Sequence, residues 1–222
     1  MVAVSNNLAT ELKEFMPEYR SKIVAVHNLT DIVYIRKKAQ EETEEKFNLD
    51  NFHIVTCGRL VNDKGIDLAV TVCQKLVKLG YSQIRWWIIG EGPEHQNLQK
   101  LIDEKGMNNY VKLLGQKENP YSYMAQSSIY VQPSRIEAFG LTILEAMIVG
   151  CPVISTNTNG GRELIDSGKN GLLCSCSVED ILATIQRLLN DKQKREKIKE
   201  VVKSIDFELR NKSIMERIET LL

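Results

Sequence analysis

The sequence predicts an α/β fold: a doubly wound parallel sheet of Rossmann-like type, followed by C-terminal helices. From residue 52 onward, short apolar runs rich in β-branched residues alternate with stretches of helical periodicity. The apolar runs have no polar face, which is typical of parallel strands covered by helices on both sides. In such sheets ligands bind at the carboxyl ends of the strands, near the point where the strand order reverses. Candidate functional residues are therefore expected in the loops that follow strands.

Strands and helices alternate regularly along this part of the chain. The predicted strands span 52–58, 84–90, 110–115, 129–134, 151–157 and 171–175. The predicted helices span 64–80, 93–106, 120–126 and 141–150, with a helical turn at 161–165 and helices from 178 through the lysine-rich tail. Six such strands joined by helical segments are enough for one complete sheet.

Periodicity and end signals define the first two of these helices. In the first, four apolar residues share one face: Ala69, Val72, Cys73 and Leu76. Gly80 is expected to end that helix, because glycine readily adopts the left-handed conformation of a helix stop. In the second helix, Pro93 is expected in the first turn and Gly106 at the end.

Residues 1–50 fit this alternation less well. They predict a strand at 2–5, a helix at 7–15 and a strand at 22–28, followed by the charged segment 36–50. The charged segment is interpreted as a solvated helix face or a linker. A strand that starts directly after Met1 suggests that the chain begins inside a fold, and a missing upstream domain would leave that strand short of partners.

Composition narrows the functional classes. The 29 lysine and arginine residues balance 29 aspartate and glutamate residues, so no overall field favours nucleic acid or an anionic membrane. No apolar run reaches the length of about 18 residues needed for a membrane span, and the N-terminus does not resemble a signal peptide. We therefore expect a cytoplasmic protein.

Cysteine and histidine spacing gives no metal site. The cysteines are odd in number, have no zinc spacing and are mostly set among apolar neighbours: Cys57, Cys73, Cys151, Cys174 and Cys176. They are interpreted as small core residues, although Cys174 and Cys176 would share a face on a strand. His27, His53 and His95 have no ligand partner at metal spacing, so no metal is expected.

The loop "GRLVNDKG" after the first predicted strand carries two cations. Gly58 permits a sharp departure from the strand, and Arg59 and Lys64 lie five residues apart across the turn into the next helix. Beside a helix N-terminus, a planar guanidinium and an ammonium could clamp a diphosphate. The alternative is that both are solvated surface cations.

The next loop, "GEGPEHQ", resembles a dinucleotide fingerprint but is incomplete. His95 stands where the third glycine of G-x-G-x-x-G belongs, and that glycine allows close packing of helix and strand. A nicotinamide site is therefore poorly supported. Gly90 and Gly92 either turn the chain or let a ligand approach the backbone.

The stretch "SRIEAFGLTILEAM" combines a helix start with two carboxylates. Phe139, Gly140 and Leu141 fall at the start of a helix, where backbone N–H groups lack partners and an anion can bind. Glu137 precedes the helix, while Glu145 lies about 6 Å along its axis at about 1.5 Å per residue. That is about the distance from a bound diphosphate to the ribose of the same nucleotide, so Glu145 would suit the ribose hydroxyls and Glu137 the hydroxyls of a group beyond the phosphates. The alternatives are an ordinary first-turn acid and a half-exposed edge residue.

"SRIEAFGLTILEAMIVGCPVIST" resembles the signature of the retaining nucleotide-sugar glycosyltransferases of family four, also called group 1. Their E-x7-E pattern is matched by Glu137 and Glu145. Along the chain, "GRLVNDKG", "IIGEGPEHQNLQKLI", "VKLLG", "GGRELIDSGKNGLL" and the helical tail occur in the order typical of that family's C-terminal domain. The resemblance implies the Rossmann-like C-terminal half of a GT-B fold. Residues 51–222 would form the donor-binding domain, and residues 1–50 the end of the N-terminal domain and a linker.

The resemblance also implies roles for individual residues. Arg59 and Lys64 would hold the donor diphosphate and stabilise the leaving group, and with Glu137 they are the catalytic candidates. Glu137 would hold hydroxyls of the donor sugar, and Glu145 those of the ribose. The implied donor-binding residues are Gly58, Arg59, Lys64, Leu114, Gly115, Glu137, Phe139, Gly140, Leu141, Thr142 and Glu145. Leu114 and Gly115 would lie by the base, and the substrate would be a UDP- or GDP-linked sugar with no further cofactor.

The implied partners are this donor, a saccharide or lipid-linked acceptor and the missing N-terminal domain, without which the chain would be inactive or weakly active. Basic residues in the C-terminal helices could dock a membrane-bound acceptor at the inner face of the membrane, or they form a solvated helix face. Two other functional classes remain open. One is a nucleotide-sugar epimerase or a phosphorylase sharing the fold; the other is a non-enzymatic nucleotide-binding or assembly module.

Overall fold

The computed structural model describes residues 1–48 and 50–221. Leu49, in the predicted linker, and Leu222, the last residue of the predicted domain, lie outside the described residues. The strands are β1 Val2–Ala3, β2 Val24–Ala25, β3 Phe52–Cys57, β4 Ile84–Ile89, β5 Val111–Leu113, β6 Ile129–Gln132, β7 Val153–Thr156 and β8 Leu172–Cys174.

Ten helices accompany these strands within the described residues. They are α1 Asn6–Phe15, α2 Ile32–Lys38, α3 Ile66–Lys78, α4 His95–Glu104, α5 Pro120–Gln126, α6 Leu141–Ile148, α7 Asn159–Leu164, α8 Val178–Asn190, α9 Lys192–Lys203 and α10 Phe207–Leu221. Two short 3-10 turns span Pro17–Lys22 and Asn62–Lys64. No helix in the described part of the chain combines the length and the apolar character that crossing a bilayer requires.

Strands β3 to β8 form one six-stranded sheet in the order β5-β4-β3-β6-β7-β8. Every neighbouring pair is parallel. The order runs outward in one direction from β3 and in the other from β6, so the reversal lies between these two strands. The predicted doubly wound parallel sheet is therefore confirmed, and the edge at which ligands are expected in such a sheet is at the carboxyl ends of β3 and β6.

The core forms where the sequence predicts it. All six residues of β3 are buried, because helices cover both faces of the sheet. The apolar face of α3 is fully buried, and Gly80 ends that helix region with a φ of 95°. The predicted position of Pro93 is wrong: α4 begins at His95. Pro93 precedes Glu94, the N-cap of the helix, and the Glu94 N–H donates to the Leu60 carbonyl oxygen in the neighbouring loop, at 3.0 Å.

Residues 1–31, here called the N-terminal unit, carry a second, two-stranded parallel sheet of β1 and β2. It has its own apolar cluster, formed by Ala3, Ala9, Ile23 and Ala25. The strands are shorter than predicted, since the Ser5 hydroxyl accepts from the Leu8 N–H at 3.1 Å and so starts α1 early. Helix α10 returns to this unit, where Arg217 Nε donates to the Ala25 carbonyl oxygen at 2.6 Å.

Helix α2 was not predicted. Asp31 caps it by accepting from the Tyr34 N–H at 2.9 Å, and Ile32 and Ile35 are buried in the main core. The charged segment 36–50 therefore starts inside a packed helix rather than as a linker. Among the cysteines, Cys174 is buried in β8, whereas Cys176 lies beyond the strand and is exposed. They therefore do not share the face of one strand, and both are free thiols in this structure.

Candidate functional site

A cleft of about 350 Å³ opens at the carboxyl ends of β3 and β6, where the strand order reverses. One wall is the loop after β3, with Gly58, Arg59 and Lys64. The opposite wall is the segment 137–142 at the start of α6. Val4 and Asn28 of the N-terminal unit close one end. The structure thus brings together two segments that the sequence separates by more than 70 residues.

An ion pair joins the two walls. Lys64 Nζ lies 2.6 Å from Glu137 Oε2, and the two side chains are only 23% and 13% exposed. The other carboxylate oxygen, Glu137 Oε1, accepts from the Gly140 N–H at 3.2 Å. The Glu137 carboxylate therefore already binds the cation and the helix-end amide that an anionic ligand would use.

The N-terminus of α6 presents further amides. Gly140 caps the helix in the left-handed region, with a φ of 85°. A Cβ at Gly140 would also lie 2.8 Å from Ile143 Cδ1, so both conformation and space favour glycine. No described residue accepts a hydrogen bond from the backbone N–H of Phe139 or of Leu141. These two donors remain available to an anion, as predicted for a helix start.

Arg59 and Gly58 differ from expectation in detail. Arg59 is exposed, and its guanidinium has no hydrogen-bond partner among the described residues. Gly58 does not have a positive φ, so the turn does not need a glycine there. A Cβ on Gly58 would meet only the Lys64 side chain, at 3.8 Å. Gly58 therefore contributes open space beside the two cations rather than a special backbone conformation.

Glu145 lies one turn further into α6 and is half-buried. Burial raises the pKa of its carboxyl to about 7. No hydrogen bond from any described residue reaches this carboxylate, so its oxygens are desolvated without compensation. Its charge also adds to burial in raising the pKa of the Tyr121 hydroxyl to about 12. A half-buried acceptor without donors among the described residues is suited to a ligand that brings hydroxyls.

A polar network at the end of β6 supports the start of α6. Gln132 Oε1 accepts from the Tyr130 hydroxyl at 2.5 Å and from Thr142 Oγ1 at 3.2 Å. Gln132 Nε2 donates to Ser134 Oγ at 2.7 Å. The Thr142 hydroxyl is thus directed to the protein interior, which leaves its backbone N–H as the group that could serve a ligand.

The glycines of "GEGPEHQ" serve loop packing. A Cβ on Gly90 would lie 1.9 Å from the Gly58 carbonyl oxygen, and one on Gly92 would lie 2.3 Å from that of Leu60. These glycines therefore face the backbone of the neighbouring loop and not open space. Leu114 and Gly115 sit on the far side, where the Gly90 N–H donates to the Gly115 carbonyl oxygen at 2.8 Å. They do not line the cleft beside Lys64.

Sequence reasoning missed a second link between the walls. Arg135 donates in bidentate fashion to Asp67, with Nη1–Oδ1 and Nη2–Oδ2 distances of 2.8 and 2.6 Å. The Arg135 backbone N–H donates to the Asp63 carbonyl oxygen at 2.7 Å. Burial alone would raise the pKa of Asp67, but Arg135 outweighs it and lowers that pKa. The sequence signal that could have indicated this contact is the arginine next to Ser134 in "PSRIEAFG".

It also missed Gly160 and Glu163 of the "GGRE" motif in α7. Gly160 donates from its N–H to the Glu137 carbonyl oxygen at 2.8 Å. Glu163 pairs with His27 of the N-terminal unit at 2.7 Å. Within the described residues, no group of three or more metal-binding side chains occurs. The cleft itself is lined by Arg59, Lys64 and the amides at the start of α6, which suit an anion.

The family model described as glycosyl transferases group 1 matches residues 37–204 of the chain. The chain belongs to this family. The match covers β3 to β8 and therefore both walls of the cleft.

Curated relatives agree with this membership of the group 1 family. Alpha-D-kanosaminyltransferase of Streptomyces kanamyceticus is 29% identical over 163 residues, which are 72% of this chain and 42% of the relative. N-acetyl-alpha-D-glucosaminyl L-malate synthase of Bacillus anthracis is 25% identical over 224 residues, 100% of this chain and 58% of the relative. The chain thus spans about half the length of these two group 1 relatives.

Among solved structures, HepE of Anabaena in complex with UDP superposes with a TM-score of 0.83 at 22% identity. The superposition covers 99% of this chain and 63% of HepE. At this identity the likeness concerns the fold alone, and it matches the Rossmann-like arrangement of GT-B domains. The six-stranded sheet of this group 1 chain therefore has the predicted GT-B type.

Proposed function

We propose that this chain is the C-terminal, donor-binding domain of a retaining glycosyltransferase of family four that uses a nucleoside-diphosphate sugar. The observation that carries the proposal is the cleft itself. It places Arg59, Lys64 and the amides at the start of α6 around one space, with Glu137 beside it and Glu145 one turn further. Cations and amides suit a diphosphate, and carboxylates suit hydroxyls.

The diphosphate would bind between the walls. Arg59 has no described partner and can approach a phosphate directly, whereas Lys64 is held by Glu137. A diphosphate would take over Lys64 and the Gly140 N–H, and it would add the amides of Phe139 and Leu141. Glu137, displaced from these two contacts, would then accept hydrogen bonds from hydroxyls of the donor sugar. On binding, the phosphates would thus replace the Glu137 carboxylate as the partner of Lys64 and of the Gly140 N–H.

The nucleoside would lie towards Glu145. Its half-buried carboxylate is without donors among the described residues, and the two hydroxyls of a ribose would supply them. Leu114 and Gly115, at the end of β5, would lie by the base. Binding of UDP by HepE, a protein of the same fold, supports a uridine nucleotide as the first donor to test, with GDP-linked sugars as the alternative.

The proposed reaction transfers a glycosyl group with retention of the anomeric configuration. The bond between the anomeric carbon and the phosphate oxygen breaks, and its electron pair leaves with the nucleoside diphosphate. The oxygen of an acceptor hydroxyl attacks from the same face and forms the new bond to the anomeric carbon, and its proton passes to the departing phosphate oxygen. Arg59, Lys64 and the helix-end amides would stabilise the negative charge that develops on the leaving phosphate. No further cofactor is proposed.

We propose that the acceptor is bound by an N-terminal domain outside residues 1–222. The chain spans 42% and 58% of the two relatives above, and relatives named as O-antigen and lipopolysaccharide core glycosyltransferases are also similar to it. We propose a saccharide or lipid-linked acceptor, and inactivity or weak activity of residues 1–222 without that domain.

Calorimetric titration tests the donor site. The ligands are UDP, GDP and ADP, together with UDP-glucose, UDP-N-acetylglucosamine, GDP-mannose and ADP-glucose. One base should bind, and Lys64→Met should weaken that nucleoside diphosphate by about tenfold, because a charge-assisted hydrogen bond is lost. Lys100→Met, at a lysine that is 77% exposed on α4, should leave the affinity unchanged. Binding of none of these ligands would refute the proposed donor site.

A further inference from the structure

Glu163, near the end of α7, joins the N-terminal unit to the main sheet. Its side chain is only 6% exposed. Oε1 accepts from Asn6 Nδ2 at 2.7 Å and lies 2.7 Å from His27 Nε2. Oε2 accepts from the backbone N–H and from Nδ2 of Asn7, at 3.2 and 3.0 Å. All four contacts come from the N-terminal unit, so one buried carboxylate holds two of its segments at once.

These hydrogen bonds keep the carboxylate ionised. Burial alone would raise the pKa of Glu163, but the hydrogen bonds from Asn7, Asn6 and His27 outweigh it and hold the pKa below its ordinary value. An ionised, buried carboxylate with four hydrogen-bonding neighbours fixes the geometry of the groups around it. The end of α7 is therefore tied to the N-terminal unit.

The start of the same helix touches the cleft. The Gly160 N–H donates to the Glu137 carbonyl oxygen at 2.8 Å. A Cβ on Gly160 would lie 2.5 Å from the Phe139 carbonyl carbon and 2.8 Å from Glu137 Cγ. The backbone of α7 at Gly160 thus packs directly against the backbone of the Glu137–Gly140 loop. A displacement of α7 must displace the loop that carries Glu137.

A second contact reaches this loop from the N-terminal unit. The His27 ring, which Glu163 holds, lies 5.7 Å from the Phe139 ring, centroid to centroid, with a tilt of 35°. Phe139 is buried and supplies one of the free amides of the cleft. Glu163 therefore acts on the loop along two routes, through Gly160 and through His27.

We propose that Glu163 is a positioning residue for the donor sugar: it sets the place of the Glu137–Gly140 loop relative to the N-terminal unit. The inference rests on the proposed function, because it uses the assignment of the sugar to Glu137. Glu163 itself does not line the cleft. Its replacement should affect the sugar, which is held by Glu137 on this loop, more than the nucleoside diphosphate, which keeps Arg59 and Lys64 on the opposite wall besides the amides of the loop.

The test compares two carboxylate-to-amide variants. Glu163→Gln keeps the side-chain size but replaces one carboxylate oxygen by an amide NH2 group, which cannot accept from the hydrogen-bond donors around it. Glu208→Gln is the matched control, because Glu208 on α10 pairs with Arg36 at 2.7 Å and also joins distant segments, but away from the cleft. Each variant is titrated with the nucleoside diphosphate and the sugar conjugate that the wild type binds in the panel above.

The expected result is a split between the two ligands. In Glu163→Gln the ratio of sugar-conjugate affinity to nucleoside-diphosphate affinity should fall by about fivefold or more, the size typical of coupling between contacting residues. In Glu208→Gln this ratio should not change. Equal weakening of both ligands in Glu163→Gln would mean a merely structural role and would overturn the proposal.

A ligand-free measurement separates this inference from the proposed function. Amide hydrogen exchange at Gly160, followed by NMR, should accelerate in Glu163→Gln and not in Glu208→Gln. Unchanged exchange at Gly160 would overturn the coupling even if the donor binds. Accelerated exchange in a protein that binds no nucleotide would support the coupling and refute the donor site. If Glu163→Gln does not fold, His27→Asn, which removes one of the four contacts, takes its place in both measurements.

Discussion

Lys64 Nζ and Glu137 Oε2 are 2.6 Å apart, across a cleft whose walls come from opposite sides of the strand-order reversal. The same carboxylate accepts from the Gly140 N–H at 3.2 Å. Without a ligand, the charge of Lys64 is therefore neutralised by the opposite wall of the cleft. In the proposed function this contact is exchanged on binding, so Glu137 competes with the phosphates before it serves the sugar.

Nucleotide binding is predicted to release a proton from Glu145. Burial raises the pKa of this carboxyl to about 7, so part of it is protonated at neutral pH. Ribose hydroxyls donate to the ionised form and would lower the pKa again. Affinity for the nucleoside diphosphate should fall as the pH drops below about 7. Calorimetry at pH 6.5 in buffers of different ionisation enthalpy measures the released proton.

The control for this prediction is Glu145→Gln, which has no proton to release at that position. It should bind more weakly and show a binding enthalpy that depends less on the buffer. Equal buffer dependence in wild type and variant would assign the proton to another group, and the ribose role of Glu145 would lose its main physical support.

The free protein should become more stable when Glu145 is neutralised. Its folded-state pKa of about 7 exceeds the ordinary value of 4.5, so between these values the folded protein keeps a proton that the unfolded chain has lost. Stability therefore falls as the pH rises from about 4.5 to about 7, and it levels off above. Glu145→Gln should remove this slope and raise the free energy of unfolding at pH 8 by up to about 3 kcal/mol.

Urea unfolding of both proteins at pH 5 and pH 8 checks this sign. The variant should gain stability mainly at pH 8, where the wild-type carboxylate is ionised and buried. A variant that is less stable than wild type at pH 8 would mean that donors outside the described contacts already satisfy the carboxylate.

Two glycines that face each other should differ strongly in their tolerance of alanine. Gly90 has a φ of 143°, and a Cβ there would lie 1.9 Å from the Gly58 carbonyl oxygen. Gly90→Ala should therefore lower the free energy of unfolding by more than about 2 kcal/mol. Gly58→Ala should change it by less than about 0.5 kcal/mol, because its Cβ would meet only the Lys64 side chain at 3.8 Å.

Ligand affinity distinguishes the two further. The Gly58→Ala methyl group would lie beside the cleft cations, so this variant should weaken the nucleoside diphosphate while it remains folded. Thermal unfolding and titration of the same sample measure both effects. A Gly58→Ala variant with wild-type affinity would show that the phosphates lie elsewhere.

The sequence predicted the sheet well because its signals are local. Strands that are apolar on both faces identified the parallel sheet, and the helix predicted over 120–126 matches the bounds of α5. Helix α2 was not predicted, because its two buried residues, Ile32 and Ile35, span less than two helical turns before the charged segment begins. An amphipathic pattern needs more length than that to be recognised.

The site was predicted in its residue types but not in its internal pairing. Lys64 and Glu137 are 73 positions apart, and nothing local indicates that the two groups meet. The same is true of Glu163, whose contacts with Asn7 and His27 span 156 and 136 positions. Chain topology decides such contacts, so sequence spacing could suggest the ligand chemistry but not the partners that occupy the cleft without it.

The most direct test of the central claim measures two ligands on two variants. Calorimetry gives the affinities of wild type, Glu137→Ala and Glu145→Ala for the nucleoside diphosphate and for its sugar conjugate. Glu145→Ala should weaken both ligands by about tenfold or more, because hydrogen bonds to a charged group are lost. Glu137→Ala should bind the nucleoside diphosphate at least as tightly as wild type, since a competitor for Lys64 is removed, and should lose the added affinity of the sugar. The reverse pattern, with Glu145→Ala affecting only the sugar and Glu137→Ala only the nucleotide, would contradict this account of the cleft.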